Sequence, residues 1–401
     1  MSAGAPLPRI DDLEVADQRV LVRCDLNVPL KDGAVADDLR IRASLATLQG
    51  LLEKGARLVV CSHLGRPKGK VVDELRLAPV GRRLGELLDL PVDALDEIVG
   101  DRARKACRSD QAVVLLENLR FDPGEEANDA RFADGLAALG DAYVNDAFGA
   151  SHRAHASIVG VPERVPRAAA GLLLEEEVER LERLLHEPEH PFVAVLGGAK
   201  VSDKLGVIEH LAERVDSMCI GGAMAFTLLA AQGVDVGRSL VERDRLEEVK
   251  GVLDRVESRG VEILLPSDVV AADEAREGSA HSVELIGDIG DRMGVDIGPR
   301  TTEEFGRVIG EARTVVWNGP MGIFEIEPYS GGTRGVAKAI ERATEAGAFT
   351  VAGGGDSAAA LAQFGMADAV THLSTGGGAS LELLEGKDLP GVAVLRNRAR
   401  Q

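Results

Sequence analysis

The sequence predicts an α/β protein with two doubly wound domains, each built around a parallel sheet. Its 401 residues exceed the roughly 250–300 residues that one core usually supports. Short apolar runs alternate with helical patterns along the chain, as in parallel sheets covered by helices on both faces. A long charged helix predicted at residues 172–190 divides this series into two comparable halves, and we interpret it as their connector.

Eight short apolar runs are predicted to form the strands, and helical patterns lie between them, for example at residues 38–53, 242–257 and 332–346. Nearly every run ends in polar residues or glycine. Ligands of open parallel sheets bind at the carboxyl ends of the strands, so the sequence predicts one candidate site in each half. The predicted strands lie at residues 19–24, 56–61, 112–117, 142–146, 191–198, 217–222, 314–319 and 349–355.

The composition indicates a globular protein of the reducing cytosol. A net charge of −20 argues against a nucleic-acid-binding surface, which requires a clustered excess of basic residues. No apolar run is long enough to span a membrane, and the first residues show no signal peptide. Four scattered cysteines fit neither a disulfide framework nor a zinc site.

The balance of charged residues is typical of proteins that work in concentrated salt. Carboxylates are abundant, and only 10 of the 46 basic residues are lysines. Salt at about 1 M screens charges beyond about 3 Å, which would remove most of the self-repulsion of such a chain. The alternative is an ordinary acidic protein from a genome of high GC content, since GC bias also favours arginine over lysine.

The first half carries cations where its predicted sheet would bind a ligand, although the whole chain is acidic. Guanidinium groups at strand ends suit carboxylates and phosphates. Asp25 and Asn27 follow the first strand and suit a hydroxyl group of the ligand. The ligand that this half predicts is a small polyanion with an alcohol group. The cations are Arg23, Arg40, His63, Arg66, Arg120, His152, Arg153 and His155.

In the second half, Lys200 and Lys204 are four residues apart at a predicted loop-to-helix junction. Two cations on one face at a helix start repel each other and oppose the helix dipole, so we interpret them as phosphate ligands. Glycine-rich segments are predicted to line the same end of the sheet with backbone N–H groups, which suits an extended polyphosphate. These segments lie at residues 220–226, 317–325, 353–357 and 373–386.

Two acidic residues in these segments suit a nucleotide. Asp356 could orient Mg²⁺ beside phosphates, and Glu325 could accept hydrogen bonds from ribose hydroxyls. Residues 353–358 also fit the G-x-G-x-x-G/A pattern, so an NAD(P)-dependent oxidoreductase is the alternative. That site requires an acidic residue about 20 residues further on, at the end of the next strand. Residues 371–378 contain none.

Eight segments of the chain, in order, resemble the motifs of the phosphoglycerate kinase family, and the resemblance extends over essentially the whole chain. It implies two Rossmann-like domains around a cleft, with a 3-phosphoglycerate-binding domain at residues 1–171 and 386–401. The resemblance also implies a connecting helix at 172–190 and a nucleotide-binding domain at 191–385. The segments are "VRCDLNVPL", "SHLGRP", "LLENLRF", "NDAFGASHRAHAS", "GGAKVSDK", "VWNGPMGIFE", "GGGDS" and "STGGGASLELLEG".

The resemblance also implies the activity, a reversible phosphoryl transfer between ATP and the carboxylate of 3-phosphoglycerate in glycolysis. No general base is required, because the attacking carboxylate has a pKa of about 4 and is ionised near neutral pH. Catalysis then depends on alignment and on neutralising the migrating phosphoryl group. Arg40, Lys200 and Lys204 are the candidates for that neutralisation, together with Mg²⁺. Closure about the connecting helix is expected to bring the two ligands together in a monomer.

The remaining roles follow from the same resemblance. Ser357 departs from the family's usual threonine but keeps the hydroxyl group. A non-catalytic binding protein of the same fold is the second rival, and it predicts binding without turnover. Around 3-phosphoglycerate the implied ligands are Asp25, Asn27, Arg40, His63, Arg66, Arg120 and Arg153. Around ATP or ADP they are Lys204, Asn318, Glu325, Gly354, Gly355, Asp356 and Ser357, with Gly376, Gly377 and Gly378 as the phosphoryl-transfer loop.

Overall fold

The computed structural model describes residues 6–399, so the first five and last two residues of the predicted first domain lie outside it. The chain forms two compact units. The first contains the residues up to Glu179 and those from Asp388 onward, and the second runs from Arg180 to Lys387. Each unit contains a six-stranded parallel sheet among helices, which confirms the predicted α/β class with two Rossmann-like domains.

The strands and helices are numbered in chain order. The strands are β1 (Arg19–Cys24), β2 (Leu30–Lys31), β3 (Ala34–Val35), β4 (Arg57–Cys61), β5 (Val92–Ala94), β6 (Val113–Leu115), β7 (Ala142–Asp146), β8 (Ala168–Ala170), β9 (Phe192–Leu196), β10 (Ser217–Ile220), β11 (Glu262–Leu264), β12 (Asp268–Ala272), β13 (His281–Leu285), β14 (Met293–Ile297), β15 (Thr314–Asn318), β16 (Phe349–Gly353) and β17 (His372–Leu373). The helices are α1 (Leu39–Glu53), α2 (Ala78–Leu88), α3 (Asp101–Cys107), α4 (Pro123–Glu126), α5 (Ala130–Ala137), α6 (Leu172–His186), α7 (Leu205–Leu211), α8 (Gly222–Ala231), α9 (Leu246–Ser258), α10 (Pro299–Gly310), α11 (Gly331–Glu345), α12 (Gly355–Phe364), α13 (Gly378–Leu384) and α14 (Pro390–Arg398).

In the first unit the parallel strands follow the order β5-β6-β4-β1-β7-β8. Every residue of β1 and β7 is buried, because helices cover both faces of the sheet. Continuous burial explains the consecutive apolar residues at 20–22 of β1 and at 142–144 of β7, and the polar residues of both strands lie at or near the strand ends. The core on one face joins Val20 and Val22 of β1 to Ile41 and Leu48 of α1.

In the second unit the parallel strands follow the order β11-β10-β9-β15-β16-β17. Strands β12, β13 and β14 form a separate antiparallel sheet in the order β13-β12-β14, which the sequence analysis did not predict. Strand β13 alternates exposed with half-buried residues, so it contains no apolar run that would mark it as a strand.

All eight predicted strands are present, with ends that differ by a few residues. The connecting helix α6 ends at His186, earlier than predicted, because the ring of Pro188 disfavours helical backbone at the preceding residue. The predicted helix at 242–257 begins as a single 3₁₀ turn and becomes α-helical at Leu246. No helix within residues 6–399 combines the length and apolar character needed to cross a membrane.

Candidate active site

In the first unit, the carboxyl ends of four adjacent strands carry the polar residues selected from the sequence. Strands β6, β4, β1 and β7 are neighbours in this order and run parallel, so the loops that follow them meet at one edge of the sheet. The residues are Asp25 and Asn27 after β1, His63 and Arg66 after β4, Arg120 after β6, and Arg153 after β7, with Arg40 in the first turn of α1.

Asp25 is the acidic centre of this edge. Its Oδ2 accepts a 2.7 Å hydrogen bond from Nη1 of Arg40, and its Oδ1 lies 4.0 Å from Nδ1 of His63. The Asp25 side chain is buried, whereas that of Arg40 is about one-third exposed. Burial, together with the neighbouring arginines, holds the pKa of His63 well below its usual range. His63 is therefore a neutral imidazole near pH 7, and Arg40 is a cation oriented by Asp25.

Gly65 connects Asn27 with Arg120. Its N–H donates to Oδ1 of Asn27 at 2.9 Å, and its carbonyl accepts from Nη1 of Arg120 at 2.8 Å. A glycine is required here, because the backbone φ is +62° and an added Cβ would lie 2.8 Å from the side chain of Leu75. Among residues 6–399 no other hydrogen bond engages the side chain of Asn27, so its amide N–H groups can serve a ligand.

Arg66 and Arg153 are the exposed cations of the edge. Nε of Arg153 donates to Nε2 of His152 at 3.2 Å. Within the described part of the chain, Arg66 makes neither a hydrogen bond nor a salt bridge. Both guanidinium groups lack a carboxylate partner there, which suits them to an anion from solution.

Two further buried basic residues lie at this edge. The sequence placed both among its strand-end cations without giving either a specific role. Arg23 lies inside β1 and is 1% exposed. His155 follows β7, and burial together with nearby Arg120 and Arg23 lowers its pKa to about 4. An arginine near the end of a largely apolar strand was the available signal for a role of Arg23, because a guanidinium group is rarely buried without a partner.

Lys204 is the buried cation of the second unit. Its Nζ donates to the backbone carbonyl of Asn318 at 2.8 Å and also to the side-chain Oδ1 of Asn318. Burial lowers the pKa of Lys204 to about 8, and nearby Asp356 partly opposes that shift. An ammonium group that is desolvated in this way gains strongly from a phosphate, because the anion replaces the lost hydration.

Lys200 does not share a helical face with Lys204, contrary to the prediction from their spacing. Helix α7 begins only at Leu205, and the residues from Val201 to Lys204 form a turn. The turn separates the side chains, so that Lys204 is buried and Lys200 is exposed. The i,i+4 repulsion argument therefore does not apply, although both ammonium groups remain on the same short segment.

The glycine-rich turn after β16 is fixed to the end of β15. Gly354 has a φ of +91°, which favours glycine, and α12 begins at Gly355. Nδ2 of Asn318 donates to the carbonyl of Gly353 at 3.1 Å, and the N–H of Gly319 donates to Oγ of Ser357 at 2.7 Å. The Ser357 hydroxyl thus holds the turn in place, a role that serine performs without the methyl group of threonine.

A largely apolar cavity of about 420 Å³ lies beside this turn, and the sequence analysis did not predict it. Phe226, Met321 and Phe324 contribute to its wall, and Glu325 and Asp356 contribute carboxylates. Its lining comes from the glycine-rich segments at 220–226 and 317–325 and from β14. Such a cavity suits a flat heteroaromatic ring, with polar groups of the same ligand directed to the carboxylates.

The loop with Gly376, Gly377 and Gly378 lies next to the carboxyl end of β16. The N–H of Ser374 donates to the carbonyl of Ala352 at 2.8 Å, and the N–H of Gly376 donates to Oγ of Ser374 at 3.2 Å. Gly377 has a φ of +53°, and α13 begins at Gly378. The structure therefore brings this loop beside the 353–357 turn, with backbone N–H groups at the start of both helices.

The residues of the second unit fit a metal ion that arrives with a phosphorylated ligand. No group of three or more His, Cys, Asp or Glu side chains within residues 6–399 could hold a metal. Asp356 is exposed at the first turn of α12, and it makes no hydrogen bond or salt bridge in that part of the chain. One free carboxylate is what Mg²⁺ requires when phosphates and waters supply its other ligands.

Comparison with known proteins identifies relatives over nearly the full length. A family model described as phosphoglycerate kinase matches residues 10–387. The phosphoglycerate kinase of Thermomicrobium roseum is 55% identical over 393 residues, which cover 97% of this chain and 99% of that protein. The phosphoglycerate kinase of Rubrobacter xylanophilus is 53% identical over 391 residues, which cover 97% and 98%.

Solved structures agree with this match. The structure of phosphoglycerate kinase from Coxiella burnetii aligns with a TM-score of 0.88 at 40% identity, covering 98% of this chain and 100% of that one. The phosphoglycerate kinase of Pyrococcus horikoshii aligns with a TM-score of 0.82 at 34% identity, with the same coverage.

Proposed function

The chain belongs to the phosphoglycerate kinase family, and from this premise we propose how its two units divide the reaction. The reaction is the reversible transfer of a phosphoryl group between ATP and the carboxylate of 3-phosphoglycerate, a step of glycolysis. The first unit binds 3-phosphoglycerate and the second binds the nucleotide. The observation that carries this division is the contrast between the sites, with guanidinium groups in one and glycine N–H groups beside an apolar cavity in the other.

In the first unit, the phosphate of 3-phosphoglycerate binds to Arg66 and Arg153, which have no carboxylate partner in the described chain. Asn27 and Asp25 bind the hydroxyl end, since the free amide N–H groups of Asn27 can donate and Asp25 can accept. Arg40 is held by Asp25 in a partly exposed position, from which it can contact the reacting carboxylate. His63 and Arg120 complete the set of donors around the anion.

In the second unit, the adenine ring occupies the apolar cavity and Glu325 accepts from the ribose hydroxyls. The phosphate chain lies along Gly354 and Gly355, where backbone N–H groups at the start of α12 point outward. Lys204 and Asn318 contact phosphate oxygens, and Ser357 holds the turn in place by accepting a hydrogen bond from Gly319. Mg²⁺ bound with the nucleotide would be held by Asp356 and would supply positive charge to the phosphate oxygens.

Transfer requires neutralisation of the migrating phosphoryl group and no proton abstraction. The nucleophile is a carboxylate with a pKa of about 4, which is ionised throughout the physiological range. Lys200 is exposed on the turn before α7 and is free to follow the phosphoryl group, and Arg40 approaches it from the substrate side. The loop from Gly376 to Gly378 contributes backbone N–H groups. We further propose that closure about α6 assembles these groups, because the boundary between the units falls within this helix.

The family assignment argues against the oxidoreductase alternative. Strand β17, the next strand after the glycine-rich turn, ends at Leu373 without the carboxylate that a dinucleotide ribose requires. A binding protein without activity has no support either, because every position assigned to contact a phosphate carries a residue that can do so. We also propose that the protein acts as a monomer in the cytoplasm and that its acidic composition is an adaptation to high salt.

Two variants test the division of roles by isothermal titration calorimetry. His63→Gln is expected to weaken binding of 3-phosphoglycerate about tenfold and to leave binding of MgATP unchanged, since one hydrogen bond is lost in the first unit only. Lys204→Met is expected to do the reverse. If either variant weakened both ligands equally, the assignment of one ligand to each unit would be wrong.

A further inference from the structure

Glu125 is a carboxylate enclosed in the first unit, behind the candidate 3-phosphoglycerate site, and its side chain is 0% exposed. Each of its oxygens accepts from Ser157. The hydroxyl of Ser157 donates to Oε1 at 2.6 Å, and the backbone N–H of Ser157 donates to Oε2 at 3.0 Å. A protonated carboxyl group would direct an O–H at one of these donors. The two hydrogen bonds from Ser157 therefore favour the carboxylate form of Glu125, whereas burial raises its pKa.

Ser157 connects Glu125 to Arg23 by hydrogen bonds. Nε of Arg23 donates to the hydroxyl oxygen of Ser157 at 2.8 Å. A guanidinium group has no acceptor, so the serine oxygen accepts here, and the serine hydroxyl donates to Oε1 of Glu125. The direction of every hydrogen bond between Glu125 and Arg23 is thereby determined, and the buried positive charge of Arg23 is balanced by the carboxylate of Glu125.

Arg23 in turn determines which nitrogen of His63 carries the proton. Nη2 of Arg23 lies 3.1 Å from Nδ1 of His63, and only Nδ1 can accept in this pair. The other tautomer would direct an Nδ1–H toward Oδ1 of Asp25, which at 4.0 Å is beyond hydrogen-bond distance. His63 is consequently held as the neutral tautomer with its proton on Nε2, and Nε2–H is the donor that it can offer to a ligand.

We propose that Glu125 is a positioning residue for 3-phosphoglycerate binding, which acts through Ser157 and Arg23 to hold His63 as a neutral Nε2–H donor. This inference rests on the proposed function of the first unit. It assigns His63 the role of a directional hydrogen-bond donor, in contrast to the charged contacts made by the exposed arginines.

The surroundings of His63 keep this state over a wide range of pH. Protonation of Nδ1 would place its N–H against the N–H of Nη2 of Arg23, so that two donors face each other, and the nearby charges are mostly positive. Binding of 3-phosphoglycerate through His63 should therefore not weaken as pH rises through the ordinary histidine range of about 6.5. The charged or titratable groups around the ring are Arg23 on β1, Asp25 after β1, Arg40 on α1, Arg120 after β6 and His155 after β7.

Long-range ¹H–¹⁵N spectra of the ¹⁵N-histidine-labelled protein test this directly, with His63→Gln used to assign the signals. The native protein is expected to show His63 as the Nε2–H tautomer without titration between pH 5 and 8. An Nδ1–H tautomer, or a titration midpoint in that range, would overturn the proposal whether or not any variant folds.

Glu125→Gln tests the role of the carboxylate, because an amide places an N–H group against one of the two donors of Ser157. We expect the KM for 3-phosphoglycerate to rise about tenfold with the KM for MgATP unchanged, and the His63 spectrum to lose its single Nε2–H tautomer. Ser157→Ala should act in the same direction. The matched control is Glu117→Gln, another buried carboxylate of the first unit that accepts from backbone N–H groups and an arginine.

The control is expected to leave both KM values and the His63 spectrum as in the native protein. If Glu125→Gln and Ser157→Ala folded but changed neither the spectrum nor the KM for 3-phosphoglycerate, Glu125 would have no positioning role. If the native protein showed no turnover, the proposed function would fail, whereas the His63 spectrum would still decide whether the network sets the tautomer.

Discussion

Asp146→Asn is the substitution for which the structure gives the most definite change in stability with pH. Asp146 ends β7 and is fully buried. Its Oδ1 accepts from the hydroxyl of Thr47 at 2.7 Å and from the backbone N–H of Leu173 at 3.1 Å, so it satisfies a donor at the start of α6. Oδ2 is buried without a hydrogen-bond partner in residues 6–399. The negative charge is therefore costly to bury.

The size of the effect follows from the pKa of Asp146, which burial raises from 3.8 to about 7. The folded protein binds this proton more tightly than the unfolded chain does. The stability that the group contributes is thus complete below the unfolded pKa and is lost as pH rises through about 7. At about 1.36 kcal/mol per pKa unit, the loss between pH 5.5 and pH 8.5 is about 2 kcal/mol.

Urea denaturation of both proteins, followed by circular dichroism at these two pH values, measures the effect. The free energy of unfolding of Asp146→Asn relative to the native protein should increase by about 2 kcal/mol from pH 5.5 to pH 8.5. The cost of the unpaired asparagine amide is the same at both pH values and cancels. Thr47→Val, which removes a hydrogen bond to this carboxylate, should raise the pKa of Asp146 further and lower stability more at pH 8.5 than at pH 5.5. An unchanged or opposite pH dependence in Asp146→Asn would refute the reasoning.

Three further predictions concern the nucleotide side and the solvent. Gly319→Ala should destabilise the protein by roughly 1–3 kcal/mol and raise the KM for MgATP alone. The reason is that the backbone φ is +97° and that an added Cβ would lie 2.3 Å from the carbonyl oxygen of Gly197. An unaltered KM would show that this turn does not hold the nucleotide. The Kd for MgATP should rise by up to about tenfold per pH unit above pH 8, because the Lys204 ammonium with a pKa of about 8 loses its proton there. A Kd that calorimetry finds to be independent of pH would contradict this. The free energy of unfolding should be higher in molar KCl than at low KCl, because salt screens the repulsion within a chain of net charge −20. Equal free energies of unfolding at the two KCl concentrations would remove the argument for adaptation to high salt.

The parts of the fold that could be predicted from the sequence are those buried on both faces. Strands such as β1 and β15 are entirely buried, so each contains three consecutive apolar residues that mark it in the sequence. The edge strands β5 and β17 contain three and two residues, too few for any periodic signal. The β12–β14 sheet was missed because one of its strands, β13, is half-exposed and rich in polar residues.

The polar part of the candidate site was predictable because parallel strands deliver their carboxyl ends to one edge. That rule places Asp25 and His63 together from their strand positions alone, and the 4.0 Å contact agrees with it. It gives no information on the apolar cavity, whose lining comes from several segments far apart in the chain. It also fails within turns, as at Lys200 and Lys204, because a change of one or two residues in the helix start redirects a side chain.

The most direct test of the proposed function is ATP formation from 1,3-bisphosphoglycerate and MgADP, measured at low and at molar KCl. The native protein should turn over in at least one of these conditions. Lys200→Ala should lose about 10²–10³-fold in kcat, as expected when a group that stabilises developing charge is removed. Lys250→Ala, a change of another exposed lysine on α9, should retain native activity. Absence of turnover at any salt concentration would contradict the enzymatic assignment, and full activity in Lys200→Ala would contradict the role given to that lysine.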